Sequence, residues 1–421
     1  MKVLKNICLL IFFLMMGNFV HAQNSKNAEE SQKYLYTAQQ QLLRIKAQDV
    51  RLIPDKENGG FHLYVRKTEN VNSILLTETT KDPLGKQDNY AYRAKEYNPI
   101  NGDEIRYLDG KPLISEGAKY SLVDSSVENT DFFGPAFHIY IPPVIVYGYS
   151  WSRNGQVTLG KGTFINIRSF EKPYADYSGA FMDSPFMFDL VTKKRTVKKE
   201  ISAVEKIKEI KEVKEIEEET VLTDEYNPIA SDKFKEISQE VIYSKGPETI
   251  IYDIKTILDE IKDKDNLDLV FAIDATGSMK NDLEKLKSDL LPALFEYFGK
   301  ETKTRFGLLF YRDYGDTFKY MGLPVKFYDF TSNLEVFSKN LNSVKINGKE
   351  GGDVPEAVYE AMYAASEFYN WRDSAQKLVI LIGDAGPHPS PRGTGKYSRD
   401  FVMSLAESRN IKIRSILLPM D

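Results

Sequence analysis

The chain is poor in the residues that carry most nucleophilic and zinc chemistry. It has one cysteine, four histidines and two tryptophans in 421 residues. The cysteine, Cys8, lies in an N-terminal apolar run, so a chain trimmed of that run has no thiol. A disulfide framework and a cysteine nucleophile are thereby excluded. His62 and His138 stand isolated, without metal-ligand spacing, and read as structural. No H-E-x-x-H helix and no G-x-S-x-G elbow occurs. Gly393-Thr394-Gly395-Lys396-Tyr397 resembles part of a phosphate loop but lacks the first glycine and the hydroxyl residue after the lysine. Carboxylates are plentiful, but their spacing alone nominates no glycosidase pair. After the N-terminal run no apolar stretch is long enough to span a bilayer. The net charge of −5 gives no sign of a nucleic-acid or anionic-lipid partner.

What is present is ordinary for a globular chain: 42% hydrophobic and 28% charged residues, in a length that suits two or three domains. Residues 1–22 have the pattern of an export leader. Lys2 and Lys5 give the positive start, Ile7–Met16 the apolar core, and Val20-His21-Ala22 a small-residue cleavage site. This predicts an exported protein of the periplasm, the cell surface or the medium, with no membrane anchor once the leader is removed.

Residues 23–190 read as a β-rich domain with a leading helix near 26–50. Runs such as Phe61–Val65, Phe137–Ile141 and Thr163–Phe170 are strand-like, and Asn58-Gly59-Gly60, Asp109-Gly110 and Asn154-Gly155 mark turns. Regular short strands of this kind predict a sandwich- or barrel-like domain. Its many Tyr and Phe residues read as core and rim packing, with a glycan- or partner-binding face as the functional alternative. Residues 191–227 form a charged low-complexity stretch. Its apolar residues Ile201, Val204, Ile207, Ile210, Val213 and Ile216 recur every third position, which winds round a helix and cannot form a coiled-coil seam. It reads as a solvated, partly helical linker.

In residues 228–421 strands alternate with helices, the pattern of an α/β doubly wound, mostly parallel sheet. Helices are predicted near Ser231–Ile242, Glu248–Asp263, Lys280–Phe298, Leu334–Val344, Val354–Tyr369 and Phe401–Ser408. Strands are predicted at Leu267–Ile273, Arg305–Tyr311, Val325–Phe330, Lys377–Ile382 and Ile411–Leu418. The first strand ends in Asp274-Ala275-Thr276-Gly277-Ser278. Asp, Thr and Ser are hard oxygen ligands suited to Mg²⁺, Mn²⁺ or Ca²⁺. An extended turn puts positions 274, 276 and 278 on one side, and Asp384 ends a neighbouring strand at the same crevice.

Asp274–Ser278 fits the D-x-[ST]-x-S opening of the metal-ion-dependent adhesion site of von Willebrand factor type A domains. Gly351–Ala357, Tyr311-Arg312-Asp313 and Ile382-Gly383-Asp384 are similar to further loops of one branch of that family. The segment Leu267–Leu418 therefore resembles a type A domain. The resemblance implies a bound cation with Ser278 and Thr276 as direct ligands, and with Asp274 and Asp384 close to it or bridged by water. It also implies an open position for an acidic side chain of a protein partner. Where the family usually has a threonine, this chain has Asp353. A third carboxylate neutralises more of the cation's charge, so the site should hold its ion tightly and attract an acidic partner less.

The resemblance further implies a helix after the last strand. The sequence stops at Asp421, so the expectation is a trimmed domain, or a fragment, whose bare sheet face the N-terminal domain covers. The function implied is non-enzymatic adhesion or assembly through the metal. Two alternatives stand beside it: a glycan- or peptide-processing β domain that the type A domain only recruits, and a structural envelope protein with a permanent ion.

Overall fold

A computed structural model of the chain describes residues 39–78, 90–101, 107–108, 111–112, 120–148, 154–196, 214–238, 240–299, 302–351, 355–388 and 396–420. The leader at 1–22, residues 197–213 of the charged stretch, the Gly393–Gly395 part of the loop sequence and Asp353 lie outside them. The chain divides into two compact units after Leu222.

Among the described residues the N-terminal unit carries three larger sheets and a two-stranded pairing of Tyr107–Leu108 with Lys111–Pro112. One runs Val50–Pro54, Phe61–Arg66, Gly134–Ile141, Glu128–Thr130 in spatial order, antiparallel throughout. The second joins Gly155–Thr158, Val144–Tyr147, Arg93–Ala94 and Tyr120–Ser121, and the third Lys214–Thr223, Phe181–Thr196, Phe164–Phe170, Ser73–Thr77 and Val123–Asp124. Alternation places one face of each in a shared core that includes Leu63, Val65, Ile74, Phe137, Ile139, Ile145, Ile167 and Phe186. The leading helix is shorter than its sequence suggests. Residues 39–42 are helical, a 3₁₀ turn occupies Ala47–Asp49, and a strand starts at Val50. Leu43 and Ile45 are instead drawn into the core.

The charged stretch is corrected at both described ends. Lys193–Thr196 continue the strand from Phe181, and Lys214–Thr223 form the next strand, at the edge of the same sheet. Charge is compatible with an edge strand, where it discourages pairing with other chains.

The C-terminal unit is built on a six-stranded mixed sheet. Its helices are α1 (Pro228–Ile237), α2 (Ile250–Leu258), α3 (Lys280–Phe298), α4 (Leu334–Asn342), α5 (Val358–Glu367) and α6 (Arg399–Ser408). Its strands are β1 (Val241–Tyr243), β2 (Leu267–Asp274), β3 (Arg305–Tyr311), β4 (Val325–Thr331), β5 (Gln376–Gly383) and β6 (Ile411–Leu417). The spatial order is β1-β6-β5-β2-β3-β4. All neighbours are parallel except β3 and β4, so the sheet carries one antiparallel edge. Every residue of β2 is buried, as a central strand covered on both faces requires. Leu269, Phe271 and Ile273 pack with Ile254 of α2, Leu283, Leu286 and Leu290 of α3 and Phe337 of α4. Helix α5 packs on β2 and β3, while α1 and α6 pack on β6.

Val241–Tyr243, expected as the end of a helix, is a strand paired with Ser415–Leu417. Its β-branched residues suit a ladder. Helices α1 and α2, which precede the D-x-T-x-S strand in sequence, pack on β6. Cover for that end of the sheet thus comes from within the same unit.

Candidate functional site

Asp274 is the last residue of β2 and is fully buried. Its Oδ1 accepts hydrogen bonds from the Thr276 backbone N–H at 2.9 Å and the Thr276 hydroxyl at 2.7 Å. Its buried Oδ2 meets no hydrogen-bond donor among the described residues. Burial, and then the negative field of Asp384, push its pKa up to about 8 despite the two bonds from Thr276 and the charge of Arg312. A carboxylate in this position needs a proton or a cation to offset its desolvation.

Thr276 is buried and extended, and the chain then turns through a 3₁₀ segment, Gly277–Met279, into α3. Ser278 lies half-buried in that turn. Gly277 is required by close approach. Its N–H donates to the Glu350 carbonyl at 2.9 Å, and a Cβ there would lie 3.0 Å from the Gly348 carbonyl carbon. Asp384 follows β5, is buried, and stands beside Asp274 because β5 and β2 are neighbours in register. A Cβ on Gly383 would lie 3.3 Å from Asp274 Oδ2 and 2.6 Å from the Tyr311 hydroxyl. The structure therefore brings Asp274, Thr276, Ser278 and Asp384 to one end of the sheet. Asp353 is outside the described residues.

Residues quoted only as part of a resemblance prove to build the surroundings. Arg312, buried, donates from Nε to the Ala275 carbonyl at 2.7 Å and from Nη2 to the Lys345 carbonyl at 2.8 Å. Its Nη1 reaches Asp316 and Thr317, both at 3.2 Å. Glu356 is buried two residues beyond the undescribed loop, and its backbone pairs with Gly386 and His388. Burial, followed by the fields of Asp274, Asp384 and Glu356, holds the Tyr311 phenol far above its ordinary range, so all three carboxylates act on one ring. Behind them a second buried group forms. His388 Nε2 lies 2.6 Å from Asp313 Oδ1, and the Tyr314 hydroxyl donates to Glu360 at 3.0 Å. The acidic residue of the Pro355-Glu356 pair was the signal available for Glu356.

Among the described residues no three acidic or histidine side chains form a metal cage by themselves. The donor set nevertheless fits a hard cation. It offers two buried carboxylates, one with an unsatisfied oxygen, and hydroxyls whose lone pairs can ligate while Thr276 donates its proton to Asp274.

Residues 230–401 match the family described as the TssR protein VWA domain. The alpha-protein kinase vwkA of Dictyostelium discoideum is 26% identical over 208 residues, which is 48% of this chain and 29% of the kinase. The chain thus spans under a third of that relative. An aerotolerance-related membrane protein from Bacteroides fragilis NCTC 9343 is 17% identical, over 36% of this chain and 67% of that one, with a TM-score of 0.26. The pilus adhesin SpaC from Lactobacillus rhamnosus GG is 18% identical, over 29% of this chain and 16% of that one, with a TM-score of 0.23. The part of the chain that carries Asp274, Thr276, Ser278 and Asp384 is a von Willebrand factor type A domain, similar to that of TssR proteins.

Proposed function

We propose that the type A domain binds a divalent cation, Mg²⁺ or in its place Mn²⁺ or Ca²⁺, and through it a protein partner. Ser278 and Thr276 supply hydroxyl ligands. Asp274, Asp384 and Asp353 supply negative charge, directly or through water. The ion, when bound, contributes a Lewis-acidic position that a partner's carboxylate can fill. The observation that carries the reading is the buried Oδ2 of Asp274, which meets no donor among the described residues and lies beside a second carboxylate. Thr276 fixes the other oxygen and so aims the carboxylate, and Arg312 ties the surrounding loops to the turn. The role is binding and assembly, without catalysis, in a protein exported by its leader to the periplasm, cell surface or medium.

The acidity of the site favours retention of the ion, which also supports a structural role for it. Asp353→Thr separates the two: weaker retention with stronger capture of an acidic partner.

The test is a melting series with Asp274→Asn. In the wild type, Mg²⁺ at one hundred times its dissociation constant should stabilise the C-terminal unit by about 2.7 kcal/mol. The variant keeps the bonds from Thr276 but loses the charge. It should show no Mg²⁺ shift, be no less stable than wild type in EDTA, and fail to hold partners that wild type captures from an envelope extract in Mg²⁺. Equal Mg²⁺ shifts in the two proteins would sink the proposal.

A further inference from the structure

The two histidines that stand isolated in sequence meet in space. Phe61–Arg66 and Gly134–Ile141 pair antiparallel, with His62 opposite Tyr140 and Tyr64 opposite His138. Alternation sends Leu63, Val65, Phe137, Ile139 and Ile141 into the core and leaves the two imidazoles together on the other face. His62 Nδ1 lies 3.0 Å from His138 Nε2. The Tyr64 ring stacks on His138 with 4.1 Å between centroids and fixes its plane.

The outer nitrogens are also engaged. His62 Nε2 is 3.3 Å from Asp55 Oδ2, and His138 Nδ1 is 3.2 Å from Glu128 Oε1. Asp55 is locked by the backbone N–H groups of Asn58 and Glu57 and by the Asn58 side chain. Those bonds, Asn58's first, pull its pKa down to about 2, so it is an ionised acceptor at any physiological pH.

The tautomers then decide the chemistry. An ionised carboxylate only accepts, so satisfying both outer contacts places a proton on each outer nitrogen. A neutral imidazole with one N–H has a bare lone pair on its other nitrogen. Two lone pairs thus face each other across 3.0 Å, which is repulsive unless an electropositive centre joins them. An N–H placed between the two rings instead would turn a bare nitrogen toward a carboxylate at one of the outer contacts, whereas a bridging cation leaves both outer N–H groups in place.

We propose that His62 Nδ1 and His138 Nε2 are the two protein ligands of a divalent transition-metal ion, with Asp55 and Glu128 orienting the rings from outside. Metal-bound histidines characteristically donate their other N–H to such carboxylates. Two nitrogens about 2.05 Å from one ion lie about 2.9 Å apart at a right angle and about 3.3 Å apart at the tetrahedral angle. The observed spacing is nearer the first, which suits the tetragonal sites of Cu²⁺ and Ni²⁺. Imidazole pairs disfavour Mg²⁺ and Ca²⁺, so this site and the type A site select different ions. The remaining coordination positions belong to water or to a donor from another molecule. His62 and His138 side chains keep 25% and 11% of their surface exposed, which leaves the ion an entry path.

The test is titration of Cu²⁺ into the full chain with Mg²⁺ present in excess. One Cu²⁺ should bind with the electron paramagnetic resonance signature of two imidazole nitrogens. His62→Gln and His138→Gln should each weaken binding at least tenfold, and Asp55→Asn should weaken it by about 10–100-fold without removing a ligand. The nitrogen count is read on wild type and does not depend on how the variants fold. Absence of two-nitrogen coupling, or equal Cu²⁺ affinity in wild type and both histidine variants, would overturn the proposal.

Discussion

At the scale of single residues, a charge buried in the C-terminal unit is informative according to whether its partner is protein. Asp268, the second residue of the central strand, is fully buried, yet it is matched. Arg305 donates to it from Nε at 2.8 Å and also from Nη2, and Arg372 donates from its backbone at 2.8 Å and from Nε at 2.9 Å. Burial alone would raise its pKa, but these bonds overcome it and leave a net depression. A depressed folded-state value means the stabilisation is complete above the unfolded value, near 4, and is lost as pH falls through the folded one. Asp268→Asn should therefore cost about 3 kcal/mol at pH 7, and its stability should change less than the wild type's between pH 5 and pH 2.5. Urea melts across that range would check it; parallel curves would show that Asp268 is not a source of acid sensitivity. Asp274, at the other end of the same strand, has the opposite character, with one oxygen held by Thr276 and the other meeting no donor among the described residues. One end of the strand thus holds a carboxylate matched by arginines, and the other the carboxylate at which we propose that a cation binds.

At the scale of elements, the loops around Asp274 are held by one guanidinium. Arg312 joins the turn after β2 to the carbonyl of Lys345 and to the Asp316–Thr317 loop. Arg312→Lys keeps a positive charge near Asp274 but loses the fork that reaches three elements at once. Calorimetric titration with Mg²⁺ should show affinity reduced by about 10–100-fold, as for other outer partners of a metal site. Unchanged affinity would mean that only the charge matters. The elements differ in how far they could be read in advance. The strand ending in Asp274 and the helix after it were legible because an apolar run gives way to helical spacing at a polar motif. Val241–Tyr243 was not, since three residues show no period and their ladder partner, Ser415–Leu417, lies far along the chain. Lys214–Thr223 misled because its run of charged residues gives no apolar alternation, while an edge strand needs only one partner. The His62–His138 pair was invisible for the same reason, since two residues 76 positions apart come together only through strand register.

At the scale of the whole molecule, the chain divides after Leu222 into two units, each with its own buried core. A unit with its own core can unfold on its own, and anything that binds only one folded unit stabilises that unit alone. The two proposed ions make this separable, because hydroxyls and carboxylates take Mg²⁺ and imidazoles take Cu²⁺. Calorimetric scans of the full chain should show two transitions in EDTA. Mg²⁺ should raise one of them, and Asp274→Asn should abolish that shift while leaving the other transition in place. Cu²⁺ should raise the second transition, in a manner sensitive to His62→Gln and insensitive to Asp274→Asn. A single cooperative transition raised by either ion would show that the units share their stability. In that case cation binding at Asp274 would be felt by the whole chain, and the type A domain would be coupled to the β-rich unit instead of acting as an independent binding module.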